Sequence, residues 1–356
     1  MSSKKYTLTI CFPTYNRAAK LLPNIKKYLV YDEDRVSFTI QDNCSTDGSY
    51  EQFLSIHNER LTVRQNLSNI GALPNAKCAL ANNPNSEYVM FSIDKDMFDM
   101  PYLSKFIDYL EKEKPACGCL DVYGNPNEHV DTFSAGKEAV IHTGYLNKHP
   151  TGYFWRCDLL YAEMAKPYFK GLPEKFDFWF DVVMAHIAAM HPTVWVYIPA
   201  IFHGPRQPGF KPTKTITYNE SNYFFSCSKR LETFEIYVKD LLSLNLPKQE
   251  RQEIALLIAR DTVSNVTTGL RHIYTSGREV YHYNLTWRII PWHEMFGNAY
   301  KVLRIYLRLL KGFDSNRVAK GFYIWFRNIA AITKLCLEQL IHKIGRASCR
   351  RVYVLV

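Results

Sequence analysis

The period of the apolar positions switches repeatedly over the first two hundred residues, and each switch marks an element. Residues 6–12 (Tyr-Thr-Leu-Thr-Ile-Cys-Phe) read as a strand that stops at Pro13-Thr14-Tyr15-Asn16-Arg17. Leu21, Leu22, Ile25 and Leu29 then share one helical face. Residues 36–40 predict a second strand. It ends in the polar cluster Gln41-Asp42-Asn43-Cys44-Ser45-Thr46-Asp47-Gly48, where Ser45, Thr46 or Asp47 caps a helix through Phe53 and Ile56. Residues 61–64 predict a third strand, 66–71 a loop and 74–80 a helix. Residues 88–93 (Tyr-Val-Met-Phe-Ser-Ile) form a short apolar run suited to a central parallel strand. Strands alternating with helices four times over predict an α/β fold with a mainly parallel sheet.

Beyond a helix at 101–113 the pattern loosens. Residues 117–123 predict a strand, and 131–142, with Ser-Ala-Gly-Lys at their middle, a hairpin. Residues 148–156 predict an aromatic, Gly-containing loop or edge strand. Helices are expected over 158–168 and 175–190, and a strand over 194–198. The stretch 200–215 holds Gly204, Pro205, Pro208, Gly209 and Pro212 and reads as a loop and domain junction. The chain therefore divides into an α/β domain over 1–212 and a helical region over 213–343. Residues 344–356 read as a non-native tail to which no function is assigned.

Chemistry enters at the end of the fourth strand, where Asp94-Lys95-Asp96 places two carboxylates one residue apart. In open α/β sheets ligands sit beyond the carboxyl ends of the strands. Two hard oxygen ligands with no Cys or His beside them suit Mg²⁺ or Mn²⁺ on a phosphate better than zinc. Neither Gly-x-Gly-x-x-Gly nor a phosphate-binding Gly-x-x-x-x-Gly-Lys loop is present, which argues against dinucleotide and P-loop enzymes. A net charge of +10 points to an anionic partner: a phosphorylated substrate, a membrane surface or nucleic acid. Nine scattered Cys with no Cys-x-x-Cys argue for a reducing compartment rather than a disulfide framework or zinc ribbon. The amino terminus has no signal-peptide pattern, and no apolar window reaches the ~18 residues of a membrane span.

Taken in order, Ile10-Cys-Phe-Pro-Thr-Tyr-Asn-Arg17, Asp42-Asn-Cys-Ser-Thr-Asp-Gly48, Asn69-Ile-Gly71 with Asn75, and Asp94-Lys-Asp96 resemble family 2 glycosyltransferases of the GT-A fold, over roughly residues 6–205. The narrower resemblance is to the bacterial branch that builds surface polysaccharides. It implies inverting transfer of a sugar from a nucleotide donor to an acceptor hydroxyl. It implies that Pro13, Thr14 and Arg17 line the nucleotide pocket and that Asp42 bonds the base, usually uracil. Asn69 and Gly71 then lie close to the nucleoside. Asp94 meets the ribose or a metal-bound water, and Asp96 ligates Mn²⁺ or Mg²⁺ on the diphosphate. His203 corresponds to a further metal ligand of some GT-A enzymes. Arg206 and Lys211 are candidates to cover the diphosphate, and Tyr153 and Trp155 to stack on a sugar. The family's base comes from an adjacent Glu-Asp pair at the start of a late helix. That pair is missing from Leu172-Pro-Glu174-Lys-Phe-Asp177-Phe-Trp-Phe-Asp181. Spacing from the following strand favours Asp181, with Asp177 one turn earlier on the same face and Glu174 third.

Lys301, Arg304, Arg308 and Lys311 form a basic stripe on an otherwise apolar helix, and residues 322–341 are aromatic and apolar. Such a region suits peripheral contact with an anionic membrane, which would bring the site to a polyprenyl-linked or glycan acceptor at the inner, cytoplasmic face. Its alternative is packing on the catalytic domain or a second subunit. Two other classes stand beside the transferase. One is a catalytically degenerate nucleotide-sugar or membrane-partner binder. The other is a haloacid-dehalogenase-like phosphatase, disfavoured by Phe98 two residues past the second aspartate. No nucleic-acid-binding motif is present.

Overall fold

The computed structural model describes residues 5–122, 127–146, 150–174, 176–203, 227–275, 297, 300, 301, 304, 307, 308 and 310–352. The chain forms two compact units, Met1–Arg206 and Gln207–Val356. The first opens with β1 (Tyr6–Thr14), α1 (Ala18–Val30), β2 (Val36–Asp42), α2 (Ser49–Leu54), β3 (Leu61–Gln65), α3 (Ala72–Ala81) and β4 (Ser86–Phe91). It continues through β5 (Asp96–Phe98), α4 (Met100–Glu113), β6 (Cys117–Leu120), β7 (His129–Phe133), α5 (Lys137–Thr143) and β8 (Tyr153–Arg156). It closes with α6 (Cys157–Ala165), α7 (Pro167–Lys170), α8 (Trp179–Ala188), β9 (Thr193–Tyr197) and β10 (Ile201–His203).

Eight strands make one sheet in the order β3-β2-β1-β4-β8-β6-β9-β7. The β3, β2, β1 and β4 neighbours are parallel, as are β6 and β9. β8 runs antiparallel to both β4 and β6, and β7 antiparallel to β9. The central strands read as continuous apolar runs because both faces are covered. On one face Leu21, Ile25 and Tyr28 of α1 and Leu103, Phe106, Ile107 and Leu110 of α4 pack against Ile10, Phe12, Phe38 and Met90. Each such side chain contributes about 1.5–3 kcal/mol on burial. α4 is fixed at both ends: Asp99 accepts from the Tyr102 N–H at 3.4 Å, and Lys114 takes the left-handed conformation at the C-cap.

Several expectations change: Ile201–His203, inside the stretch read as a loop, is strand β10, and the helix expected over 175–190 begins at Trp179, after Asp177. The hairpin expected at 131–142 is a strand followed by a helix: β7 ends at Phe133, and α5 buries Ala139, Val140 and Thr143 at helical spacing. Within the aromatic stretch, Tyr153–Arg156 is not an edge strand but β8, an interior strand whose Tyr153, Phe154 and Trp155 are all buried, and a turn at 151–152 precedes it. The strand over 88–93 stops at Phe91, and Asp96 begins the separate strand β5, paired antiparallel with β10.

The second unit is helical, with α9 (Cys227–Leu241), α10 (Lys248–Thr275) and α11 (Ser315–Val352). α10 packs against both α9 and α11. Among the described residues no helix is long and apolar enough to cross a membrane.

Candidate functional site

The carboxyl ends of β1, β2, β3 and β4 meet in one place, and polar side chains tie them. Thr14 pairs with Asp42 across β1 and β2, and Asp42 with Gln65 across β2 and β3. The fully buried Asp42 carboxylate accepts from the Ser45 N–H at 2.8 Å, the Ser45 hydroxyl at 2.5 Å and the Gln65 amide at 3.1 Å. Both its oxygens are therefore occupied in holding the 42–45 turn and the end of β3. The φ of +60° at Cys44 belongs to that turn.

Next to it lies a ladder of side-chain amides. Asn66 donates to Asn43 at 2.9 Å and to Asn75 at 2.7 Å, and accepts from Gln41 at 2.9 Å. Asn43 donates to Asn69 at 2.8 Å and accepts from the Ile70 N–H at 3.0 Å. Asn75, buried on α3, donates to the backbone carbonyl of Gln41 at 3.0 Å. Asn69 in turn accepts from the Gly71 N–H at 3.0 Å, just before α3 begins. Gly71 has φ +92°, a conformation L side chains rarely adopt, so the entry to α3 depends on this glycine. A second clasp joins the β1 and β2 loops: Asn16, itself at φ +54°, accepts from the Thr46 N–H at 2.8 Å. The Asn16 N–H donates to the Ser45 hydroxyl at 2.8 Å.

The two aspartates part company. Asp94 is buried and turned inward: Arg17 donates to one carboxylate oxygen at 2.7 Å and Thr14 to the other at 3.2 Å. Arg17 is itself half exposed, so a guanidinium stands at the surface with its counter-ion beneath it. Asp96 is fully buried at the start of β5, after a tight turn in which its N–H reaches the Ile93 carbonyl at 3.2 Å. The β5–β10 register sets position 203 directly opposite Asp96, while the side chain of His203 lies outside the described residues, as do Arg206 and Lys211. Beneath β5 the Tyr28 hydroxyl accepts from the Phe98 N–H at 3.0 Å, and burial pushes its pKa up to about 12, with the nearby Asp96 charge adding to the shift.

Across β4 the walls become aromatic. The Ile93 N–H donates to the Thr151 hydroxyl at 3.2 Å and the Gly152 N–H to the Phe91 carbonyl at 3.1 Å, which fastens the start of β8 to the aspartate loop. Gly152 has φ +89°, and a Cβ there would strike the Leu120 carbonyl oxygen. Phe180 stands 4.8 Å from Phe91 and 3.9 Å from Trp179, centroid to centroid. Asp181 lies in the first turn of α8, only 1 % exposed, and accepts from the Tyr153 hydroxyl at 2.6 Å. Asp177 sits in the turn before that helix and is partly exposed; Glu174 is exposed. Tyr153 and Trp155, read as sugar-stacking candidates, are both buried. Lys77 of α3 places its ammonium 5.1 Å from the Phe169 ring centre and 5.9 Å from that of Trp179. Burial lowers the pKa of Lys77, against the opposing pull of Glu174.

The structure therefore brings Pro13, Thr14, Arg17, Asp42, Asn69, Gly71, Asp94 and Asp96 to one end of the sheet. The scaffold residues Gln41, Asn66 and Asn75 carry much of this arrangement; Asn75 belongs to the motif read with Asn69 and Gly71, whereas Gln41 and Asn66, as ordinary loop amides, give little local signal. Among the described residues no three His, Cys, Asp or Glu side chains gather into a metal cage. The donor set instead suits a hard divalent cation held by one or two carboxylates and completed by phosphate and water.

The family described as glycosyl transferase family 2 matches residues 9–159. No curated protein sequence matches the chain. Among solved structures, S. aureus TarS 1–349 is similar with a TM-score of 0.58 at 14% identity, covering 94% of this chain and 92% of that one. The same fragment in complex with UDP-GlcNAc is similar with a TM-score of 0.58 at 14% identity, covering 92% and 90%. Against S. aureus TarS in a longer chain the TM-score is 0.57 at 14% identity, covering 92% of this chain and 54% of that one. At this identity the likeness is one of fold.

Proposed function

We propose that this chain, which belongs to the family 2 glycosyltransferases and has the GT-A fold, transfers a sugar with inversion from a nucleotide-sugar, a UDP-sugar in the first instance, to a hydroxyl. The acceptor is a glycan or a polyprenyl-linked sugar of bacterial surface polysaccharide synthesis, met at the inner face of the cell membrane. The observation that carries the reading is the division of labour at the end of β4. Asp94 is neutralised by Arg17 and accepts a hydrogen bond from Thr14, while Asp96 begins a strand that faces position 203. Solved TarS structures with UDP and UDP-GlcNAc support a nucleotide-sugar donor.

The reaction needs charge stabilisation as the nucleoside diphosphate leaves, and a base for the incoming hydroxyl. Asp96, with His203, would hold Mn²⁺ or Mg²⁺, which when bound stabilises the diphosphate charge as a Lewis acid. Asp94 serves chiefly to fix Arg17, whose exposed guanidinium faces the diphosphate side. Pro13, Thr14, Asn69 and Gly71 line the nucleoside wall, and Asp42 shapes that wall by holding the 42–45 turn. Spacing alone favours Asp181 as base, but a base must touch its acceptor. Asp181 is sealed and bonded to Tyr153, so we assign the proton to Asp177 and give Asp181 the task of positioning the start of α8.

A thermal-shift screen of UDP-, GDP- and dTDP-sugars with and without Mn²⁺ tests the donor. Ligand at a hundredfold its Kd should stabilise the protein by about 2.7 kcal/mol. A UDP-sugar should shift the melting point most, and only with metal. Equal shifts from every nucleotide, or none, would remove the UDP reading. The buried Asp181 also favours a second reading, a degenerate binder, and a shift without transfer or hydrolysis is its signature. A phosphatase needs an accessible aspartate nucleophile, whereas Asp94 lies under its ion pair with Arg17.

A further inference from the structure

α11 is apolar on two faces, and among the described residues only one of them is packed. Its inner face carries Gly321 and the buried Ile324. A Cβ at Gly321 would stand 2.8 Å from the buried Leu310 side chain, so the helix packs closely there. Arg317 joins the same side, donating to Glu253 of α10 at 2.9 Å. On the opposite face lie Ala319, Tyr323, Phe326, Ala330 and Leu337, at steps of four, three, four and seven, which is one stripe of a helix. Tyr323 is 62% exposed, Phe326 61% and Leu337 54%. Lys320, Arg327 and Lys334 run beside this stripe at steps of seven, all exposed.

The segment before α11 has the same character. The helical residues Tyr300 and Leu307 are exposed among Lys301, Arg304 and Arg308. From 297 to 337 the chain holds eight Lys or Arg and a single acid, Asp314, which is ion-paired with Arg317. A contiguous apolar stripe of this kind marks an interaction surface.

We propose that this face of α11 is a membrane-docking surface for a bilayer rich in anionic lipid. Tyr323, Phe326 and Leu337 enter the headgroup–acyl boundary while Lys320, Arg327 and Lys334 meet lipid phosphates. The proposal deepens the membrane-face reading above, but it rests on the second unit's own residues. Charge selects the occupant. Docked antiparallel, a second copy would set basic row against basic row; docked parallel, it would set each basic row against the flank of Phe322, Ile329 and Thr333, which holds no acid to meet it. An anionic bilayer satisfies both the apolar stripe and its basic border, as for helices that lie in the interface. Each basic residue near such a surface is worth about fivefold in partitioning.

The test is sedimentation of the full chain, without donor or metal, with phosphatidylcholine vesicles or with vesicles that also hold phosphatidylglycerol. Binding should require phosphatidylglycerol and weaken with salt. Lys320→Glu/Arg327→Glu/Lys334→Glu should cut it by roughly a hundredfold or more. Tyr323→Ser/Phe326→Ser should reduce it while leaving circular dichroism and the melting transition in place. Should these surface pairs disturb folding, Lys320→Gln/Arg327→Gln/Lys334→Gln gives the same reading with less perturbation. Equal binding to both vesicle types, no binding to either, or tighter capture by an oligonucleotide would overturn the proposal. A dimer in solution that the Tyr323/Phe326 pair disperses, without vesicle binding, would overturn it in favour of a second copy. Because no turnover is read, failure here leaves the transferase reading standing, and loss of the transferase reading leaves vesicle binding unexplained but intact.

Discussion

The two sides of the eight-stranded sheet fix their loops by opposite chemistry. On the β1–β3 side, Gln41, Asn43, Asn66, Asn69 and Asn75 form a ladder with donor–acceptor distances of 2.7 to 3.0 Å, and Asp42 holds its own turn. On the β8 side, Phe91, Tyr153, Trp155, Trp179 and Phe180 pack ring on ring, and Asp181 is drawn in through the Tyr153 hydroxyl. Hydrogen bonds are directional and set atomic positions, whereas aromatic packing fills volume with looser angular demands. In the proposed transferase the amide side would hold the nucleotide wall in fixed geometry, and the buried aromatic side would carry α8 and the turn that holds Asp177.

The largest test lies on the boundary between the sides. Asp96→Ala should lower kcat by about a thousandfold, the upper end for loss of one charge-stabilising group. The melting point, followed in parallel, should fall little, since alanine removes a buried carboxylate along with its desolvation penalty. Retained turnover in this variant would dissolve the division between Asp94 and Asp96.

Next comes the aromatic side. Asp177→Asn should lower kcat by roughly a hundredfold, the low end for a general base, with donor KM unchanged. Asp181→Asn should instead act through position: a neutral amide oxygen accepts the Tyr153 hydroxyl more weakly than the charged carboxylate does, so stability and KM for acceptor should move first. Tyr153→Phe should reproduce that pattern, because it removes the same hydrogen bond from the other end. If Asp181→Asn is the variant that abolishes kcat at unchanged stability, the assignment reverses.

The amide side should answer in stability rather than in chemistry. Asn75→Ala leaves the Gln41 carbonyl and the Asn66 amide without their buried partner and should cost about 2 kcal/mol, read as a lower denaturant midpoint. Donor KM should rise with it, because Gly71 and Asn69 are held by the same ladder. A neutral outcome would mean that α3 is positioned by packing alone.

The sequence shows β1 to β4 and the aspartate loop plainly, because apolar runs bounded by polar clusters are local signals. β8 is hidden for a physical reason. Four residues after a glycine look like a loop, and only burial on both faces turns Tyr153–Arg156 into an interior strand. The helix α5 is hidden likewise, since Val130, Asp131 and Thr132 alternate like a hairpin arm until Gly136 redirects the chain. The amide ladder is legible only in part: Asn43, Asn69 and Asn75 stand in the motifs that carry the family resemblance, but no window shows that they meet. Asn43 meets Asn66 twenty-three positions away and Asn69 twenty-six away, and each asparagine alone looks like an ordinary turn residue. Asp181 is the same case: an acid in the first turn of a helix reads as exposed until Tyr153 is found above it.

The smallest effect contrasts the two ends of β2. At its carboxyl end Asp42 is held by the neutral donors Ser45 and Gln65. Before its amino end the buried Glu33 is held by Arg35, at 2.8 Å through both Nε and Nη2. Those hydrogen bonds hold the Glu33 carboxyl below the usual glutamate range, against burial acting the other way. A carboxyl whose folded pKa is depressed contributes stability above its unfolded value, near pH 4.5, and loses it as pH falls through the folded value. Wild type should therefore exceed Glu33→Gln in unfolding free energy at neutral pH, and the gap should close below about pH 4.5. Arg35 is also paired with Asp108 and Glu111, so it keeps counter-ions in the variant and the neutral-pH gap should stay small. A gap that widens on acidification would show that the Glu33 carboxyl is protonated in the fold, and that burial outweighs its guanidinium partner.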